Sequence, residues 1–178
     1  MRSFYASLES MLANVTKVKY DLARHLDRGS KDLFPAPELR YRREKGVTCN
    51  GPTLTEMVEA GRRCREHLAA ALAMDLPDRV RVRIAEDERL FTYGERTLQY
   101  YDACVQAWQA IGAGNTNDAG RCLAEAQRLA DLLRADTEST THSSSHANAA
   151  DAFDASRATH ALGHIEKAIA AAENGTGG

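Results

Sequence analysis

Four of the six histidines fall in the last third of the chain as two pairs, His142 with His146 and His160 with His164, each pair four residues apart. Residues at that spacing share one face of a helix, and two imidazoles so placed suit chelation of zinc or another transition metal. Asp151, Asp154 and Glu166 are nearby carboxylates that could complete a shell. Neither pair carries the glutamate that a zinc protease places between its histidines. No histidine follows a glutamate by three residues, so the di-iron bundle signature is missing as well. The ordinary alternative is a polar loop around His142 and His146, and a helix whose His160 and His164 lie at its surface.

Other catalytic constellations are thinner. Ser143 to Ser145 could serve a hydrolytic triad, but no Gly-x-Ser-x-Gly elbow or strand presents them. Gly112-Ala113-Gly114 follows a helical pattern, whereas nucleotide-binding glycines follow a strand. Cys49, Cys64, Cys104 and Cys122 are widely spaced, with no C-x-x-C pair to suggest a zinc ribbon or a redox dithiol. Cys64, Cys104 and Cys122 lie on or beside apolar stripes, where a free thiol behaves as a small core residue, and Cys49 sits in a loop. Phe91, Tyr101 and Trp108 fall on a single helical stripe and read as core, while Tyr93 and Tyr100 fall off it and read as a surface for a partner.

Composition narrows the classes further. The net charge of −2 is mixed in sign, which argues against a general nucleic-acid or anionic-membrane binder. Arg40, Arg42, Arg43 and Lys45 cluster, but Glu38 and Glu44 interrupt them, and the segment reads as a solvated loop. No apolar stretch is long enough for a signal peptide or a membrane span. If Met1 is the native start, the chain is expected in the cytoplasm.

The elements that must position these residues are helices. Phe4, Leu8, Met11, Val15, Val18, Leu22 and Leu26 follow steps of four and three, which predicts a helix over 3–28 ending at Gly29. A long connection, 29–52, contains Pro35, Pro37, Gly46, Gly51 and Pro52. Such a length within a compact domain tends to be functional or poorly ordered. Thr53 to Glu56 form a capping box that opens a helix over 53–74, with Met57, Gly61, Cys64, Leu68 and Leu72 on one side. Leu76-Pro77-Asp78 breaks it. A third helix over 78–111 then carries Val80, Ile84, Phe91, Gly94, Leu98, Tyr101, Val105 and Trp108 on one face. At 1.5 Å per residue it would be about 50 Å long. A fourth, over 118–135, starts at Asn117 or Asp118 and lines up Cys122, Ala126, Leu129 and Leu133. The serine- and threonine-rich stretch 136–147 reads as a flexible linker. A fifth helix over 148–173 uses Phe153, Leu162, Ile165 and Ile169.

The stretch Arg83-Ile-Ala-Glu-Asp-Glu-Arg-Leu-Phe91-Thr-Tyr93-Gly94, continuing to Leu98-Gln-Tyr100-Tyr101, resembles a helical region in large bacterial carbohydrate-active proteins. In those proteins, hexosaminidase-like or α-glucuronidase-like and carrying a domain of unknown function, the region follows the catalytic barrel. The resemblance covers residues 53–135. It implies an accessory piece that packs against a barrel or a neighbouring subunit and supplies no catalytic acid. The barrel, with its strands and paired carboxylates, is not in this sequence.

The expected fold is all-α: a single helical domain over 1–178, an antiparallel bundle of four main helices plus a C-terminal fifth around one core. The third helix, longest of the five, should project beyond its neighbours as a docking surface. The leading functional expectation is a non-catalytic accessory or protein-interaction module without a cofactor, its partner a protein or an upstream catalytic domain, with no nucleic acid and no membrane. Two alternatives stand beside it. One is a metal-binding helical protein using His142, His146, His160 and His164 with zinc or another transition metal. The other is a small enzyme with a pocket under the 29–52 loop.

Overall fold

Pro77 and Gly112-Ala113-Gly114 punctuate the chain at two of its helix ends, and alanine-rich amphipathic runs make up the helices. The computed structural model describes residues 2–12, 54–141 and 155–175, all within helices except the turns at 73–77 and 113–115. The fold is all-α. In chain order the helices are α1 (Arg2–Leu12), α2 (Leu54–Leu72), α3 (Asp78–Gly112), α4 (Thr116–Thr141) and α5 (Ala155–Gly175). The expected continuation of the first helix to residue 28, the 29–52 connection with its pocket and its basic cluster, Cys49, the Thr53 cap and Phe153 all lie outside the described residues.

The residues gather into two compact units, and the division falls within α3, between Leu98 and Gln99. The first unit holds α1, α2 and the opening three-fifths of α3. Phe4 stacks edge-on against Phe91, with ring centroids 5.8 Å apart. The Cys64 thiol donates to the Phe4 carbonyl at 3.7 Å. Met11 lies buried against Gly61 and Gly94, two glycines that the stripes of α2 and α3 bring to the interface. Phe4 meets Cys64 while Met11 meets Gly61, so α1 and α2 run in opposite directions. The core is completed by Leu54, Met57, Leu68, Ile84 and Leu98. Met57, Leu68, Ile84 and Leu98 fall on the stripes expected of α2 and α3, and Leu54 is an addition to them. Of the expected stripe residues, Leu72 and Gly94 are only half-buried and Val80 is exposed.

Polar groups reinforce the first unit. Arg65, half-buried on α2, donates to Glu95 (Nε to Oε2, 3.2 Å), Glu88 (3.1 Å) and Thr92 (2.9 Å) on α3. Its guanidinium carbon lies 4.7 Å from the centre of the Phe91 ring, a cation–π contact. Tyr5 donates its hydroxyl to Asp87 at 2.9 Å. That bond, with the aspartate charge, raises the phenol above its ordinary pKa. The buried Thr97 satisfies its hydroxyl by donating to the Tyr93 carbonyl one turn back, at 2.9 Å.

In the second unit, α3 ends in a Schellman motif. Gly114 takes φ of +73°, its N–H bonds the Ile111 carbonyl at 3.0 Å, and the Asn115 N–H bonds the Ala110 carbonyl at 2.9 Å. Asn115 then caps α4 by accepting the Asp118 N–H on Oδ1 at 3.1 Å. The helix therefore begins at Thr116, one or two residues before the expected start, because the cap is Asn115. It also continues through Thr141, so 136–141 of the expected linker are helical. That hexapeptide contains neither glycine nor proline, and polar composition alone does not stop a helix. The buried line of α4 is Ala119, Leu123, Ala126, Leu129, Ala130 and Leu133. Cys122, expected at its head, is only half-buried. α5 packs on α4 through Ala158, Ala161 and Ile165, with Leu162 and Ile169 half-buried at its flanks.

Candidate functional site

Of the two histidine pairs, the described residues include one. His160 and His164 lie on α5, one turn apart, and their Nε2 atoms approach to 3.0 Å. The rings meet edge to face, with centroids 4.5 Å apart. Both sit on an open groove of about 660 Å³, lined also by Ser156, Arg157, Thr159 and Lys167. The Thr159 hydroxyl is engaged with the Ala155 carbonyl at 2.9 Å. α5 orients this face because Ala158, Ala161 and Ile165 hold the adjoining face against α4. His160 is exposed and His164 half-buried, which leaves the pair open to solvent. His142, His146, Asp151 and Asp154 lie outside the described residues. Glu166 is exposed and is not among the side chains lining the groove. Among the described residues no three histidine, cysteine, aspartate or glutamate side chains converge as a metal-holding group.

The two tyrosines expected at an interaction surface separate. Tyr93 is half-buried, whereas Tyr100 is 2% exposed and belongs to the core. A single-face reading fails there because Tyr100, Tyr101, Ala103, Cys104, Val105, Ala107 and Trp108 are all buried, so that stretch of α3 is enclosed on several sides. Burial drives the Tyr100 phenol above its ordinary range, with the neighbouring Cys104 thiol adding to the shift. Burial also pushes the Cys104 thiol up to about 12 and the Cys64 thiol up to about 11. Thiols held protonated in this way are inert core residues rather than nucleophiles.

Exposure on α3 is concentrated at its start. Every residue from Asp78 to Arg83 is exposed, so the first turn and a half is open on all sides. Val82 is 62% exposed and Val80 36%, and Met74 in the preceding turn is 60% exposed. Arg79, Arg81 and Arg83 alternate with the two valines. Leu90, two turns further on, is 65% exposed. The strand-like alternation Arg79-Val80-Arg81-Val82-Arg83 is thus a helix end with apolar and cationic groups turned to solvent.

Sequence reasoning did not identify the Arg65 cluster. Its signal was present: Glu88, Thr92 and Glu95 repeat at steps of four and three, a polar stripe beside the apolar one. No described helix is long and apolar enough to cross a membrane. Comparison with protein-family models, with curated proteins and with solved structures found no match.

Proposed function

We propose that this chain is a non-catalytic helical interaction module that docks an acidic protein segment with apolar anchors onto the start of α3. The observation that carries the reading is the exposure of Asp78–Arg83 on every side, with Val80, Val82 and three arginines in one and a half turns. Val80 and Val82 stand two residues apart and so face opposite sides of this exposed helix end, each with arginines beside it in the sequence. Arginines around apolar anchors favour a partner that brings carboxylates, which steer the encounter while apolar contact supplies affinity. The buried Cys64 and Cys104 thiols, held protonated, do not serve as nucleophiles. The finer form of the proposal, an accessory piece of a larger bacterial carbohydrate-active protein, rests on the sequence resemblance over 53–135.

The test is site-specific photo-crosslinking in cells that produce the native chain. A photoreactive side chain at position 82 should give a discrete adduct that the same group at exposed Ala124 does not. Excess wild-type chain should compete the adduct away, and the R81E/V82D chain should not. Adducts that are equal at both positions, or missing at 82, overturn the proposal. An antibody against 53–135 tests the finer form: a native band at 19.5 kDa, the mass of this chain, removes the larger carbohydrate-active protein.

A further inference from the structure

The groove on α5 supports a second activity, independent of docking at α3. Two ligands on one zinc ion, each at about 2.0–2.1 Å and separated by a tetrahedral or somewhat smaller angle, stand about 3.0–3.4 Å apart. The Nε2 atoms of His160 and His164 stand 3.0 Å apart. In the metal-free pair one Nε2–H donates to the other ring's unprotonated Nε2. A metal ion can take the place of that shared proton, with the donor ring moving its proton to Nδ1, so both imidazoles become neutral ligands.

The surroundings select the kind of ion. Among the described residues lining the groove none is a carboxylate, so calcium and magnesium, which require oxygen ligands, find no anionic donor. Imidazole nitrogens suit copper, nickel and zinc. Arg157 and Lys167 line the same groove. Their charges weaken binding of a bare dication and draw an anion to its open coordination positions, an effect moderated by solvent.

We propose that His160 and His164 form a two-imidazole, solvent-open site for one divalent copper, nickel or zinc ion, whose remaining positions are filled by water or a small anion. A bound ion bridges residues one turn apart and so clamps α5 in its helical form. Because it binds the folded chain better than the unfolded one, it raises the melting temperature.

The experiment uses the full-length chain without a histidine tag, titrated calorimetrically with copper, nickel and zinc chloride in a non-coordinating buffer. The expected result is one saturable ion per chain, copper tightest, with binding reversed by chelator and a metal-dependent rise in melting temperature. H160Q and H164Q should each weaken binding at least about tenfold and remove the thermal shift, while H142A/H146A should retain both. Far-UV circular dichroism verifies that the variants stay helical. The copper(II) resonance spectrum of the wild-type chain gives a second reading that needs no variant, since two imidazoles impose nitrogen hyperfine splitting. Three results would each overturn the site: no saturable binding by the wild type, binding unaltered in H160Q and H164Q, or binding lost only in H142A/H146A.

Discussion

Gly61 on α2 and Gly94 on α3 face one and the same side chain. A Cβ built on Gly61 would lie 3.3 Å from Sδ of Met11, and one built on Gly94 would lie 3.3 Å from its Cε. The two missing side chains create the slot into which α1 inserts its methionine, and the slot joins three helices that are far apart in sequence. Glycine costs helix stability relative to alanine, about 1 kcal/mol at each interior position. That cost is offset here by close approach rather than by any special backbone angle.

A double-mutant cycle follows from this slot. Gly61→Ala and Gly94→Ala should each stay within about 1 kcal/mol of the wild type, because helix propensity gains what a small shift of flexible Met11 loses. Together they should destabilise by about 1–3 kcal/mol more than the sum of the two, since the methionine cannot retreat from both sides at once. Urea unfolding measures this, and additivity within about 0.5 kcal/mol would show that the glycines do not share Met11.

Arg65 gives a second expectation. The Glu95 side chain is 13% exposed, so removing its cation leaves a poorly hydrated carboxylate. Arg65→Met should cost about 1–3 kcal/mol by loss of charge-assisted hydrogen bonds to a part-buried group. Arg65→Lys should recover less than half of that, since a single ammonium cannot reach Glu88, Thr92 and Glu95 as the guanidinium fork does. Thermal melts of the three chains provide the check, and a lysine variant as stable as the wild type would count against the fork.

Asp102 supplies a pH dependence. Burial raises its carboxyl pKa, opposed in part by the Gln106 amide, which donates to Oδ2 at 2.6 Å. Between its ordinary and its raised value the folded chain holds more protons than the unfolded one, so stability falls as pH rises through that window. Above the window, ionised Asp102 weighs against folding. Asp102→Asn should therefore stabilise the chain at neutral pH, and the gain should disappear at pH values below the ordinary carboxyl range. Denaturation of both chains from pH 3 to pH 8 decides it, and a gain that is constant with pH would exclude titration as the cause.

Helical class and most helix positions were legible because a 3.6-residue period is a local property. The steps of four and three through Ile84, Phe91, Leu98, Tyr101 and Trp108 identify buried positions without any knowledge of the neighbours. Gly61 and Gly94 were placed on their stripes for the same reason. Helix ends were less legible. Asn115 and Asn117 are both plausible caps by type, and only the bond from the Asp118 N–H to Asn115 chooses between them.

Among the candidate site residues, spacing alone puts His160 and His164 on one helix face, since i and i+4 always share one. Helix packing settles that, among the described residues, this face stays open beside α4 while Tyr100, off the apolar stripe by count, is enclosed. It also decided that Val80, on the stripe, is left in solvent. Periodicity states which residues share a side of one helix. How many sides are covered depends on which other helices arrive there, and that is set by contacts between residues distant in the chain, such as Phe4 with Phe91 and Met11 with Gly94. No local pattern encodes those encounters.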